Sequence, residues 1–233
     1  MKKISFLFIM LATVACSKEE KENNPSTAPD TLTIENIQRN TGSEKTITIS
    51  DDTYTTGFAQ VSGNNQDAYV IKSTRGKVVW ARYYDKSPDD ARGEALAVNT
   101  TYLVVAFTCT GGNTSFKATT GSFQNSYGSG GGAKITYLAR LSPQNGDVVA
   151  ATFIGGRLND NKTNTLRPED GAPNPVVLLS NGSIQFKATK AYDKGDGRLT
   201  PTIGNDVDCT ISGGKWVGIF DGQMKLLEGN CLP

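Results

Sequence analysis

The sequence contains no histidine among its 233 residues, and its charges almost cancel, with 24 lysines and arginines against 23 acidic residues. Without histidine, Ser-His-Asp and Cys-His catalytic arrangements are excluded, and a catalytic zinc site loses its most common ligand. The net charge of +1 comes without a basic stripe, which argues against a nucleic-acid partner. These absences leave binding functions, structural functions and chemistry that depends on carboxylates.

Long apolar segments are also missing beyond the N-terminus. Residues 4–15 form an apolar stretch behind Lys2 and Lys3, which is too short for a membrane span and typical of a secretion signal. Small residues then lead to a single cysteine, Cys16. This segment resembles a bacterial lipoprotein signal, although Thr13 stands where that pattern usually has leucine. The resemblance implies cleavage after residue 15 and lipidation of Cys16, so that lipid anchors the protein to a membrane.

A charged, flexible linker is predicted for residues 16–43. The run SKEEKE behind Cys16 resembles the signal that sends Bacteroidota lipoproteins to the outer face of the outer membrane, although a solvated spacer has a similar composition. Beyond it, Asn, Ser, Thr and Pro dominate. We therefore expect a signal peptide at residues 1–15, a lipidated linker at residues 16–43, and one folded domain at residues 44–233, exposed at the cell surface.

Cysteines are few, and besides Cys16 the chain has Cys109, Cys209 and Cys231. An exported protein can form disulfides, and three cysteines allow one pair with one thiol left over. Cys209 and Cys231 bracket the last predicted hairpin, so they are the preferred pair. Cys109 with Cys209 is the alternative, and the sequence does not choose between the two pairings.

Helical periodicity is absent too, whereas short alternating or β-branched segments recur between Gly, Asn, Asp and Ser turns. Three hairpin-like segments share one pattern: a strand led by an aromatic residue, a polar turn and a second strand. They are residues 68–84, 136–154 and 215–229, led by Tyr69, Tyr137 and Trp216. Two further strands follow the first two hairpins, at residues 93–108 and 174–189. The sequence therefore predicts an all-β fold with a repeated four-strand unit.

The middle of the chain resembles the SBBP family of β-propeller repeats. The resemblance covers residues 67–141, from DAYVIKSTRGKVVWARYY to TTGSFQNSYGSGGGA, and Gly-Ser-Phe-Gln at residues 121–124 is its most specific piece. It extends more loosely over residues 136–189, which makes about half of the chain. The resemblance implies a β-propeller-like fold with about three four-stranded blades.

The third unit ends after two strands, at the C-terminus. Residues 44–50 and 53–62 are strand-like, so we expect these N-terminal strands to complete the last blade and protect its edges. Three twisted sheets match poorly around one axis, which leaves open whether the ring closes alone or with a second copy. A β-sandwich is the alternative architecture.

No catalytic arrangement stands out. Residues 192–197 and 159–161 are oxygen-rich, as cation sites are, but they lack the EF-hand spacing. Paired acids in polar loops are usually solvated turn residues, so we assign no catalytic residue, no metal ligand and no cofactor. The acids available for a polysaccharide-active enzyme are Asp85, Asp89, Asp90, Glu94, Glu169 and Asp170.

Aromatic side chains offer a binding surface instead. Trp80 and Tyr84 lie at the end of a predicted strand, and Tyr127 lies in a connector. Aromatic residues at such positions serve surfaces that bind sugars or proteins, although they also cap β cores. We name these three side chains as candidate ligand contacts.

The sequence favours a non-catalytic outer-membrane surface lipoprotein that acts as a binding or accessory module for a protein complex or a glycan. The tether, the repeated scaffold and long loops at residues 108–132, 155–173 and 190–205 support this hypothesis. A purely structural envelope lipoprotein is the alternative, and a carboxylate-dependent polysaccharide-active enzyme is less favoured. Nothing in the sequence identifies the ligand or partner.

Overall fold

The fold is all-β, as predicted. A computed structural model of the chain describes residues 39–111, 113–128, 132, 134–157, 162–169, 172–190, 198–199 and 215–232. These residues form strands and one short 3-10 turn at Thr41–Ser43. None of the described segments is a helix with the length and apolar character needed to cross a membrane. The predicted signal segment and Cys16 lie outside the described residues.

The first sheet is an antiparallel meander of β1 (Lys45–Ile49), β2 (Asp52–Ser62), β3 (Asn65–Thr74) and β4 (Lys77–Tyr83). Two-residue turns at residues 50–51, 63–64 and 75–76 join these strands. In the last turn Arg75 and Gly76 both have positive φ, at 50° and 76°, which matches the right-handed twist of paired strands. Facing threonines, such as Thr46 and Thr55 at 3.1 Å, add side-chain hydrogen bonds between β1 and β2.

The second sheet contains the most deeply buried strands. It is an antiparallel meander of β5 (Ala91–Val98), β6 (Leu103–Cys109), β7 (Ile135–Leu141) and β8 (Val148–Ile154). Every residue of β6 is buried. A strand that is covered on both faces has a continuous apolar sequence instead of an alternating one, and LVVAFTC fits that pattern.

Short strands connect the second meander to the third. β9 (Gly156–Arg157) pairs with β10 (Thr163–Asn164), and β11 (Leu166–Pro168) pairs with β7 through Leu166 and Ile135. The third meander follows the chain through β12 (Val176–Leu178), β13 (Ile184–Lys190), β15 (Lys215–Phe220) and β16 (Leu226–Leu232). β14 (Arg198–Leu199) pairs with β9, and β11 also pairs with β13.

The second meander lies between the other two and separates two apolar cores. On β6, Leu103, Val105 and Phe107 pack in the core shared with the first sheet. Val104 and Ala106, which alternate with them, pack in the core shared with the third sheet. Neighbouring sheets therefore pack face to face, as layers of a β-sandwich do and as adjacent propeller blades do.

The three repeated hairpins occupy equivalent places in the three meanders. β3–β4, β7–β8 and β15–β16 are the third and fourth strands of their sheets, and the leading aromatic residues Tyr69, Tyr137 and Trp216 are all buried. The predicted boundaries of the unit are wrong, however. Each unit begins with the two strands that precede its hairpin, because β6 pairs with β7 and β13 pairs with β15 within one sheet.

The predicted completion of the last blade by the N-terminal strands is also wrong. β2 pairs with β3 along almost its whole length, from Asp52–Thr74 to Ser62–Asn65, because the turn at residues 63–64 returns the chain directly. β16 pairs with β15 alone among the described strands. The strand pairing of the described residues therefore forms no closed ring. The first meander is a separate four-stranded sheet, β11 joins the second and third meanders into one nine-stranded sheet, and β9, β10 and β14 form a small third sheet.

Gly93 lies where the first and second meanders approach each other closely. A Cβ atom on Gly93 would lie 1.9 Å from Thr56 Oγ1 and 2.9 Å from the backbone nitrogen of Gly57. We expect Gly93→Ala to lower the free energy of unfolding by about 2 kcal/mol or more, because backbone atoms cannot yield to the added methyl group.

Urea denaturation checks this prediction, with Gly63→Ala as the matched control because no atom lies within 4 Å of a Cβ there. The control should change stability by less than about 0.5 kcal/mol. If Gly93→Ala behaves like the control, the two sheets do not approach each other this closely.

Candidate functional site

The first strands of the first two meanders and the segment that leads into the first strand of the third line a cleft of about 340 Å³. β1 contributes Lys45, Thr46 and Ile47, and β5 contributes residues 94–96. The segment before β12, residues 172–175, forms the third side. Glu44, Thr108 and residues 167–169 complete the lining.

Three strand edges without a strand partner adjoin this cleft. β1, β5 and β12 each pair with one neighbour only, which is β2, β6 or β13 respectively, in the part of the chain that the structure describes. An unpaired edge presents a row of backbone N–H and C=O groups. An extended chain can pair with such a row and add itself to the sheet.

Each of the three carboxylates in the cleft is fixed by a partner. Glu44 forms an ion pair with Arg39, whose Nη2 lies 2.7 Å from Glu44 Oε2, and it accepts a hydrogen bond from the hydroxyl of Tyr69. Glu169 Oε1 lies 2.6 Å from Lys215 Nζ. Glu94 Oε1 accepts a hydrogen bond of 3.1 Å from Thr108 Oγ1.

Two acids that the sequence singles out, Glu94 and Glu169, line the same cleft. The other described candidates are elsewhere. Asp85 is fully buried, and Asp89 and Asp90 lie in the loop before β5, where Asp90 Oδ2 is 3.7 Å from Lys134 Nζ. Asp170 lies outside the described residues. The six acids are therefore not gathered in one place.

Sequence reasoning missed the charged residues Glu44, Lys45 and Arg167, which also line the cleft. No local pattern marks them, because they come from segments more than a hundred residues apart that only the packing of the sheets brings together. Their contribution is a mixed charge pattern, with acidic and basic side chains on the same wall.

The aromatic candidates have interior positions. Trp80 is 8% exposed, and its Nε1 donates to the carbonyl oxygen of Pro143 at 3.2 Å. The Tyr84 hydroxyl donates to the carbonyl oxygen of Gly146 at 2.6 Å, and burial raises the pKa of Tyr84 well above its ordinary value. Both side chains thus join β4 to the turn between β7 and β8. Tyr127 packs beside the first core, and none of the three lines the cleft.

Cys109, the last residue of β6, is a buried free thiol, which disagrees with the alternative pairing of Cys109 with Cys209. Burial raises the pKa of its thiol well above the ordinary value. The backbone of Cys231 lies in β16 opposite Trp216. Cys209 lies outside the described residues, so the pair of Cys209 and Cys231 stays a prediction.

Within the described residues, no three His, Cys, Asp or Glu side chains are grouped as they would be around a metal ion. The oxygen-rich segments at residues 159–161 and 192–197 lie outside the described residues.

Comparison with protein-family models gives no match, and comparison with curated proteins gives no significant match. The resemblance to SBBP repeats and to lipoprotein signals therefore stays a prediction from the residues quoted above.

Thiol counting tests the cysteine assignments. In the chain with Cys16→Ser, we expect no thiol to react with Ellman's reagent in the native state, because Cys109 is buried and the other two cysteines are predicted to form a disulfide. After denaturation, one thiol should react without reductant and three with it. A count of three without reductant would show that Cys209 and Cys231 are not joined.

Proposed function

We propose that this protein is a non-catalytic, lipid-anchored binding module of the bacterial cell surface, and that its cleft binds an extended segment of a partner protein in the envelope. The observation that carries the proposal is that two strands with an unpaired edge among the described residues, β1 and β5, line one polar cleft together with the segment that leads into β12. A folded scaffold that leaves its free edges around a recess is suited to binding a strand.

The size of the cleft fits a short segment and not a whole domain. Its volume of about 340 Å³ lies at the lower end of the range for ligand sites, roughly 300 to 1,000 Å³. A few residues of extended peptide fill such a space while their backbone pairs with β1 or β5. The opposite wall contains Pro168, Pro173 and Pro175, which have no backbone N–H group. These residues therefore cannot donate hydrogen bonds to the peptide backbone in place of β1 or β5.

The side chains of the lining favour a peptide over a glycan. Glu94 and Glu169 accept hydrogen bonds, and Lys45 is an exposed donor beside them. This mixture complements a peptide that carries side chains of both charges. Sugar sites usually offer an aromatic ring for stacking, and none of the described residues that line the cleft is aromatic.

The engaged carboxylates support binding over hydrolysis. A glycosidase needs one carboxyl group free to donate a proton and a second free to act as base or nucleophile. In the cleft, the ion pairs with Arg39 and Lys215 and the hydrogen bond from Thr108 occupy the acids as fixed acceptors. Fixed acceptors serve recognition, because they present the same surface to every ligand that enters.

The predicted linker sets how far the folded domain can lie from the lipid anchor. The described structure already includes Arg39 and the 3-10 turn at Thr41–Ser43, which shortens the predicted spacer to residues 16–38. A flexible chain of that length has an end-to-end distance of roughly 25 Å, which is enough to carry the domain past the lipid headgroups. Such a module can meet partner proteins that lie in the same membrane.

A charge reversal in the cleft tests the binding proposal. Lys45 and Lys77 are exposed lysines that each begin an edge strand, β1 and β4, but only Lys45 lines the cleft. For a peptide selected against the protein from a display library, we expect Lys45→Glu to weaken binding at least tenfold, about 1.4 kcal/mol, in isothermal titration. Lys77→Glu should leave the affinity within about twofold.

Two results would contradict the proposal. One is that both reversals weaken peptide binding equally, which would place the peptide elsewhere. The other is that a glycan array yields a ligand whose binding depends on Lys45 while no peptide does, which would make the cleft a sugar site.

The anchor has a separate test. We expect Cys16→Ala to move the protein from the membrane fraction to the soluble fraction and to abolish incorporation of labelled palmitate, because Cys16 is the predicted attachment point of the lipid. Protease added to intact cells should degrade the wild-type protein if it is exposed at the surface. Unchanged membrane association of Cys16→Ala would show that something other than this lipid holds the protein.

A further inference from the structure

A β-bulge in β5 lies at the wall of the cleft. Gly93 pairs with Phe107 and Ala95 pairs with Ala106, so Glu94 is the extra residue between them and has no counterpart on β6. Bulges interrupt the regular pairing of an edge strand and redirect the side chain of the extra residue. The Glu94 side chain lines the cleft. The bulge therefore places one carboxylate of this edge strand where a ligand can reach it.

Glu94 differs from the other two acids of the cleft, because no cation pairs with it in the described part of the chain. Glu44 Oε1 forms an ion pair with Arg39, and Glu169 Oε1 forms one with Lys215 at 2.6 Å. These two carboxylates are neutralised within the protein. A ligand therefore meets the uncompensated negative charge of the cleft at Glu94.

A neutral hydroxyl holds the Glu94 side chain in place. Thr108 Oγ1, which belongs to the buried strand β6, donates to Glu94 Oε1 at 3.1 Å. Among the described residues, no group donates a hydrogen bond to Glu94 Oε2. Each carboxylate oxygen can accept more than one hydrogen bond. The carboxylate is thus oriented by the protein and keeps acceptor capacity for a ligand.

The basic side chains nearest in the sequence and in the cleft do not supply the missing charge. The Arg92 guanidinium lies 4.7 Å from the centre of the Phe58 ring, and its Nε donates to Gln66 Oε1. Lys45 is exposed at the cleft and forms no ion pair with an acid of the described residues. A counter-charge for Glu94 is therefore left to whatever enters the cleft.

We propose that Glu94 determines which extended segments bind, by pairing with a lysine or arginine side chain of the bound peptide. This inference rests on the proposed function of the cleft. A hydrogen bond between a cationic donor and a carboxylate is shorter and stronger than one between neutral groups. A segment with an apolar residue at that position would cover the carboxylate without compensating its charge, so it is rejected. The partner is thus a segment with a basic residue opposite the bulge of β5.

Peptides selected from a display library against the intact protein in detergent test this inference. We expect the selected peptides to share a lysine or arginine at one position. Glu94→Gln keeps an oxygen that can accept from Thr108 and removes the charge, so it should weaken binding at least tenfold in isothermal titration, about one decade in Kd. Exchanging the basic residue of the peptide for methionine should weaken binding to the wild type by a similar factor, but binding to Glu94→Gln by less than about twofold.

Glu228→Gln is the matched control. Glu228 is an exposed acid that accepts a neutral hydrogen bond from Asn230 Nδ2 at 2.8 Å, and it lies outside the cleft. This variant should leave the affinity within about twofold. Circular dichroism at the titration temperature should show both variants as folded as the wild type, so that a loss of affinity is not a loss of structure. In a charge exchange, Glu94→Lys should bind the peptide whose basic residue is replaced by glutamate better than it binds the original peptide.

Three results would overturn the inference, and they separate it from the proposed function. If Lys45→Glu weakens binding of the peptides but Glu94→Gln does not, the cleft binds peptides without reading a basic residue at the bulge. If the losses from Glu94→Gln and from the peptide exchange simply add, the basic residue binds elsewhere on the protein. If no peptide binds at the cleft, the proposed function and this inference fail together.

Discussion

The structure depends on covering both faces of one strand. β6 has seven residues and all of them are buried. Because the apolar side chains of LVVAFTC point to both faces of the strand, they are removed from water only when a layer of the protein covers each face. Full burial of side chains such as Leu103 and Phe107 contributes roughly 1.5 to 3 kcal/mol each, so losing either covering sheet would expose a large apolar area. This requirement fixes the order of the layers, with the second meander in the middle.

The cleft is a consequence of that stacking. The first strands of the three meanders come together at one side, where β5 lies against both β1 and β12, and among the described residues each of them keeps one edge without a strand partner. The apolar cores lie behind these edges, so the recess in front of them can be lined by charged and polar residues. Stability and recognition therefore use different parts of the same strands.

The sequence predicts the elements of the fold better than their arrangement. The short alternating strands and the Gly, Asn, Asp and Ser turns between them are local signals, and the structure contains them. The assignment of strands to sheets depends partly on turns such as Gly63-Asn64, whose sequence is a weaker signal for a hairpin. It also depends on long connectors, which could join either two strands of one sheet or strands of two different sheets. For this reason the three hairpins are found as predicted while the boundaries of their units are not.

The candidate site was harder to predict, for a physical reason that individual residues show. Trp80 has the sequence position of a surface aromatic residue, yet its hydrogen-bond partner Pro143 lies 63 positions away in the chain. Glu44 and Glu169 likewise meet in the cleft only after the sheets have packed. Long-range contacts of this kind leave no pattern in a local stretch of sequence, whereas the absence of histidine limits the chemistry at once.

The two-residue turns of the first sheet have a consequence for folding. All pairings among β1, β2, β3 and β4 are between near neighbours in the chain, so little entropy is lost in closing each loop. The second and third sheets must each first close a long connector, over residues 110–134 and 191–214, before their middle strands meet. We infer that the N-terminal meander assembles first and offers Tyr54, Val70 and Trp80 as a nucleus on which the later sheets condense, in the order in which the chain is synthesised.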